Sequence, residues 1–167
     1  MYYCCQTKAK TNYPNVRTLN TLLRGCLWCA VNISKDGVLV GGVVSAEMAW
    51  SKYKGLNVAD KNQANCTALD ISSYEYSITL LCQALRVEDA MTRIAEMKLA
   101  FGVPEKEIES SDDQSLMEGL AVAYCALARA YTILKKEEEA VGACKTSLHF
   151  AKVSKDALKS SGSYSSK

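Results

Sequence analysis

The sequence predicts an all-α protein built from helix pairs, and three observations carry that expectation. Apolar residues recur at helical spacing, as in Tyr74, Ile78, Leu81 and Leu85, which fall on one face of a helix. Such segments come in pairs joined by short turns, and a lone pair is too small to bury both its faces. With 2 prolines and 8% aromatic residues, the chain lacks the turn chemistry of a many-stranded sandwich. Its 167 residues suit one domain or a short repeat array. An apolar share of 49% excludes wholesale disorder.

The first helix is expected just after Pro14-Asn15, with Val16, Leu19, Leu22, Leu23 and Cys26 on one face. Its partner spans 43–54 and turns Ala46, Ala49, Trp50 and Tyr53 inward. Gly55-Leu56-Asn57 ends that helix, and polar loops are expected at 32–37 and 57–68. The second pair starts at Ser72 or Ser73 as cap, and Glu75 favours the positive helix N-terminus. After a short connection at Leu85-Arg86, its partner helix turns Val87, Ala90, Ile94 and Met97 inward. Glu88, Asp89, Arg93, Glu96 and Lys98 point outward in this reading. Phe101-Gly102-Val103-Pro104 stops the helix.

Residues 105–113 form an acidic, solvated linker. A long helix follows with Leu116, Leu120, Tyr124, Leu127, Tyr131 and Leu134 on one face. Lys135-Lys136-Glu137 makes the turn. Ala140, Ala143, Cys144, Ser147, Leu148 and Ala151 then form a small-residue face, which lets two helices approach closely. A disordered tail is expected over 158–167. The helices repeat internally: Val43, Ala46, Trp50 and Tyr53 match Val87, Ala90, Ile94 and Met97 position by position, and 19–27 matches 74–82.

These residues carry a family resemblance. The run from Tyr74 to Ala90, followed by Ile94-Ala95-Glu96-Met97-Lys98, resembles a pentatricopeptide repeat. It has the aromatic early in the first helix, the Leu81-Cys82 pair, the acidic turn into the second helix and the Glu-Met end. Pro14 to Cys26 resembles the same family's boundary and first helix. Tyr124, Leu127, Ala128, Tyr131, Ala140 and Ser147 resemble the related tetratricopeptide pattern. The resemblance implies αα-hairpins stacked into a right-handed superhelix, an α-solenoid. It divides the chain into the end of a preceding repeat (1–15), repeat 1 with loop insertions (16–70), repeat 2 (71–104), the linker, and a third repeat (114–157). Repeat 1 exceeds the family's unit of about 35 residues, and the chain reads as part of a longer array.

By resemblance such repeats bind single-stranded RNA, one base per repeat, read by two or three side chains. One reader lies early in the first helix and the other just before the next repeat. Here those places hold Asn20 and Asp70, the family's combination for uracil, and Glu75 in the second repeat. A short amide offers both donor and acceptor to a pyrimidine edge, and a carboxylate can orient it. The plainer alternatives are that Asn20 is a helix-start polar residue, that Asp70 caps the next helix, and that Glu75 stabilises a helix N-terminus. The third repeat offers Cys125 at the reading place. Net charge is +2, but residues 1–70 carry +4 and the remainder −2. Arg17, Arg24, Lys52 and Lys54 are therefore the candidate phosphate contacts. The competing expectation is a tetratricopeptide-like scaffold that holds a peptide or partner helix in its groove, with a protein partner at the third helix pair. The resemblance alone implies a mitochondrial or plastid location, as part of an RNA-processing or RNA-stability factor.

Eight cysteines raise disulfide, metal and redox chemistry. Residues 1–6 lack a long apolar secretory segment, so a reducing intracellular context is expected, with no membrane span. Cys26-Leu27-Trp28-Cys29 falls in the body of a helix, away from the N-terminus where such a pair is activated. Cys82 and Cys144 read as core, and His149 is the single histidine. Gly37 to Gly42 lacks the Lys-Ser/Thr ending of a phosphate loop. The expectation is a non-enzyme without cofactor or metal.

Overall fold

The computed structural model describes residues 15–29, 41–59, 68–102 and 114–162. Among them the regular elements are six α-helices: α1 (Val16–Cys29), α2 (Gly41–Ala59), α3 (Ile71–Gln83), α4 (Val87–Ala100), α5 (Gln114–Ile133) and α6 (Glu137–Gly162). The fold is all-helical, in three consecutive pairs. Residues 1–14 of the preceding-repeat segment, the 32–37 loop, the 105–113 linker and residues 60–67 lie outside the described residues.

Local chemistry sets the helix ends. Asn15 Oδ1 accepts from the Thr18 backbone N–H at 3.0 Å, the N-cap arrangement that satisfies a first-turn donor. The α3–α4 and α5–α6 turns share one geometry. Leu85 and Lys135 both sit at φ 58°. Arg86 N–H donates to the Leu81 carbonyl and Leu85 N–H to the Cys82 carbonyl. Lys136 and Lys135 repeat this onto Tyr131 and Thr132. Both are Schellman closures, which favour glycine at the left-handed residue. The fold therefore stores a small backbone cost at each of these turns.

The internal repetition seen in sequence is a repetition of burial. Val43, Ala46, Trp50 and Tyr53 are buried, as are Val87, Ala90, Ile94 and Met97. Leu19 and Leu23 of α1 are buried like Tyr74 and Ile78 of α3. Each large aliphatic side chain withdrawn from water contributes about 1.5–3 kcal/mol. α1 packs on α2 and α3, α3 on α4 and α5, and α5 on α4 and α6, so α3 lies between the other two first helices. By length and composition α5 could cross a membrane. Here Leu116, Met117, Leu120, Ala123, Leu127, Ala128 and Ala130 are buried in the protein.

Gly119 marks the closest approach. A Cβ there would stand 2.6 Å from Ile71 Cγ2 and 3.0 Å from Met97 Cε, whereas one at Gly142 of α6 would meet nothing within 4 Å. Gly142→Ala should therefore stabilise by about 0.5–1 kcal/mol, the usual gain in a helix interior. Gly119→Ala should instead cost about 1–3 kcal/mol through overpacking. Urea unfolding of the two variants checks this opposition of sign.

Several expectations are corrected. The cap of α3 is Asp70, not Ser72 or Ser73. α2 runs on to Ala59, past Gly55-Leu56-Asn57, and α6 continues to Gly162, into the expected tail. Arg93 is buried, and Lys98 turns back so that its Nζ donates to Tyr124 Oη at 3.0 Å. Leu22, Leu134 and Leu148 are exposed, as are Cys144 and Ala151. Ala140 and Ala143 of the expected face are buried, and Phe150 and Ser154 complete the packed face in place of Cys144, Leu148 and Ala151. Ser147 binds the Ala121 carbonyl at 2.7 Å, and Phe150 stacks on Tyr124 with ring centroids 5.7 Å apart. The packed face thus keeps the N-terminal part of the small-residue stripe and turns toward Phe150 beyond it, because one large aromatic outweighs an alanine in buried area.

Candidate functional site

Asn20 and Asp70, fifty residues apart, are in hydrogen-bond contact. Asp70 stands immediately before α3 in extended backbone (φ −97°, ψ 171°) and accepts from the Ser73 N–H at 2.8 Å. The packing of α1 on α3 brings Asn20 to this cap. Asn20 Nδ2 donates to Asp70 Oδ1 at 3.0 Å and Oδ2 at 3.1 Å. Ser73 Oγ lies 2.6 Å from Asn20 Oδ1 and 2.7 Å from Asp70 Oδ1. A hydroxyl has one proton, so Ser73 donates to one of these at a time. Ser73 is fully buried and Asn20 half-buried.

This arrangement fixes the orientation of the Asn20 amide. A primary amide has two N–H protons and two lone pairs. Asp70 takes one proton and Ser73 one lone pair. One donor and one acceptor of Asn20 remain for a ligand, and Asp70 serves both as helix cap and as Asn20's partner. Sequence reasoning missed Ser73 as the third member. The signal was its place three residues after Asp70, the spacing of a capping interaction.

Glu75 is not part of this network. It lines a depression between α3 and α5 with Asp70, Ile71, Ser72, Ser115, Glu118, Gly119 and Val122. Burial pushes its carboxyl above the usual carboxylate range. Glu118 accepts from Gln114 at 2.8 Å and from Ser154 at 3.2 Å. Three carboxylates thus border this depression, which repels an anionic strand. Cys125 is exposed on α5.

The candidate phosphate contacts divide between two helices. Arg17 and Arg24 are exposed on α1, three residues before and four after Asn20, and so share its face. Arg24 Cζ lies 5.1 Å from the Trp28 ring centroid. Lys52 and Lys54 are on α2. Lys52 is exposed beside Val44, Glu47, Met48, Ser51 and Arg86. Lys54 is held 3.0 Å from Glu96 of α4, so its charge already has a protein partner. The second charge centre that sequence reasoning missed is Arg93, paired with Glu47 at 3.2 Å and lying 4.0 Å from the Trp50 ring.

Among the described residues, Cys26, Cys82, Cys125 and Cys144 lie on four different helices. Burial pushes the Cys82 thiol up to about 12, which keeps it from acting as a nucleophile near neutral pH. Cys26 is half-buried in α1, of which Cys29 is the last residue. No metal-binding cluster occurs among the described residues. Comparison with family models, with curated proteins and with solved structures finds no match to the chain.

Proposed function

We propose that this protein binds single-stranded RNA along the exposed face of α1, with Asn20 reading a pyrimidine, uracil by preference. The observation that carries the reading is the Asn20–Asp70–Ser73 network, which orients an amide and leaves it one free donor and one free acceptor. That pair complements the edge of uracil, which presents a ring N–H between carbonyl oxygens. Arg17 and Arg24 on the same face supply phosphate neutralisation. In this reading the three helix pairs are units of a right-handed superhelix, consistent with the sequential packing of α1, α3 and α5. The protein would act in RNA processing or RNA stability in a mitochondrion or plastid, binding its strand without catalysis. Few repeats reading few bases make the affinity of this chain modest.

A salt-dependent titration against oligo-U, oligo-A and oligo-G tests it. Oligo-U should bind best, with affinity falling as salt rises. Asn20→Ala should remove about 1–3 kcal/mol of base preference, the worth of a good bidentate base contact. No salt-sensitive binding to any oligonucleotide would overturn the reading. One observation favours a second reading, a scaffold for a basic peptide. The depression between α3 and α5 is bordered by Asp70, Glu75 and Glu118, which would attract lysine or arginine side chains. Binding of a basic peptide that survives Asn20→Ala but is lost with Glu118→Gln would favour it.

A further inference from the structure

We propose that Trp28 is a stacking platform for a nucleobase, a second contact of the RNA site that rests on the reading just given. The chain has two tryptophans, and their environments are opposite. Trp50 is 2% exposed, packed against Tyr74 and covered by Arg93. Trp28 is 70% exposed near the C-terminal end of α1. A large aromatic so open to water is paired here with a cation, since the Arg24 guanidinium lies 5.1 Å from its centroid. An arginine over an indole is a combination that single-stranded nucleic acids use, the ring taking a base and the cation the backbone.

Position on the helix joins this pair to Asn20. Arg17, Asn20, Arg24 and Trp28 follow one another at three, four and four residues, so they form one stripe along α1. Trp28 lies about 12 Å along the axis from Asn20 at 1.5 Å per residue. That separation assigns it a different nucleotide from the one at Asn20. Arg24 lies midway, where the phosphate between two such bases would pass. The stripe contains no carboxylate of α1, because α1 has no acidic residue. The acid-lined depression over α3 and α5 meets the stripe only at Asp70, whose carboxylate is held by Asn20.

Tryptophan emission of the full chain reads this directly, because the exposed indole and the buried one respond differently. In the free protein, iodide should quench Trp28 and spare Trp50. Saturating oligo-U or oligo-A should quench the same component, since stacking on a base shortens the excited state. Trp28→Ala should abolish that quenching. It should also weaken binding, read by anisotropy of a labelled oligonucleotide, about 5- to 150-fold, the worth of one stacked base. Trp28 is mostly exposed, so the variant keeps its fold, and far-UV circular dichroism checks this. Oligonucleotides that bind without changing Trp28 emission, or that bind Trp28→Ala as tightly, overturn the stacking assignment and leave the RNA reading standing. Absence of binding to every oligonucleotide overturns both. Quenching by a basic peptide in place of RNA overturns the stacking assignment in favour of a protein partner.

Discussion

Arg93→Ala should lower the stability of the fold by about 3 kcal/mol, at the lower end of what breaking a buried ion pair costs. Arg93 joins α2 to α4. Its Nη2 donates to both oxygens of Glu47, at 3.2 and 3.3 Å, and its Nε lies 3.8 Å from Glu96. Its side chain is 10% exposed, against 27% for Glu47 and 37% for Glu96. Burial lowers the guanidinium's affinity for its proton, and Glu47, then Glu96, hold it up. The two carboxylates keep access to water, so losing the arginine leaves them partly solvated. That is why the lower figure applies. The guanidinium also covers Trp50, which meets the edge of Tyr74 at 5.2 Å. Arg93→Met, which keeps the stem on the indole, should recover about half of the loss. Urea unfolding with an unchanged m-value measures both. An Arg93→Ala midpoint equal to that of the wild type would show that the pair is balanced by its own desolvation.

The same residue shows where the sequence stops being legible. The apolar period placed Val87, Ala90, Ile94 and Met97 correctly in the core. It set Arg93 outside because a charged residue is seldom buried without partners. The partners, Glu47 and Trp50, lie on another helix, and no local pattern announces a contact more than forty residues away. Lys98 was misplaced for the same reason, its partner being Tyr124 of α5. On α6 the failure was one of weighting. The stripe placed Ala140 and Ala143 inward correctly, but it also took in Cys144, Leu148 and Ala151, where α6 turns Phe150 and Ser154 inward. Boundaries at α2 and α6 were underestimated because Gly55 and the serines near the chain's end are poor helix formers. In α6 the described helix nonetheless runs 26 residues.

The candidate site was legible differently. The pairing of Asn20 with Asp70 comes from the resemblance to pentatricopeptide repeats, and no spacing in this chain requires it. The structure brings them to 3.0 Å. Two readings of Asp70 that seemed to compete are compatible in the geometry, because one carboxylate caps α3 and holds Asn20. Glu75, chosen by the same register, stands apart in the depression toward α5. The α3–α5 packing that encloses that depression includes Gly119, whose role is close approach.

That double duty gives the second large effect. Asp70→Ala should cost about 2–3 kcal/mol: up to about 2 for the lost cap, and about 1 for donors left without an acceptor. The donors are the Ser73 N–H and the Asn20 amide. A loss of uracil preference in that variant would be ambiguous, since the fold itself is weakened. Asp70→Asn separates the two roles. Asparagine caps a helix about as well as aspartate, so its unfolding midpoint should stay close to the wild type. Its one oxygen can keep the Oδ1 contacts with the Ser73 N–H and Asn20, but the amide nitrogen that replaces Oδ2 loses the second acceptor of Asn20 and sets its own hydrogens against those of Asn20. The Asn20 amide loses its fixed orientation and presents donor and acceptor in either order. Removing a negative charge also favours the phosphate backbone for every sequence alike. Asp70→Asn should therefore bind oligo-A and oligo-G at least as well as the wild type does, while the advantage of oligo-U collapses. An undiminished oligo-U advantage in Asp70→Asn would reduce Asp70 to a helix cap and remove the orienting carboxylate from the reading of Asn20.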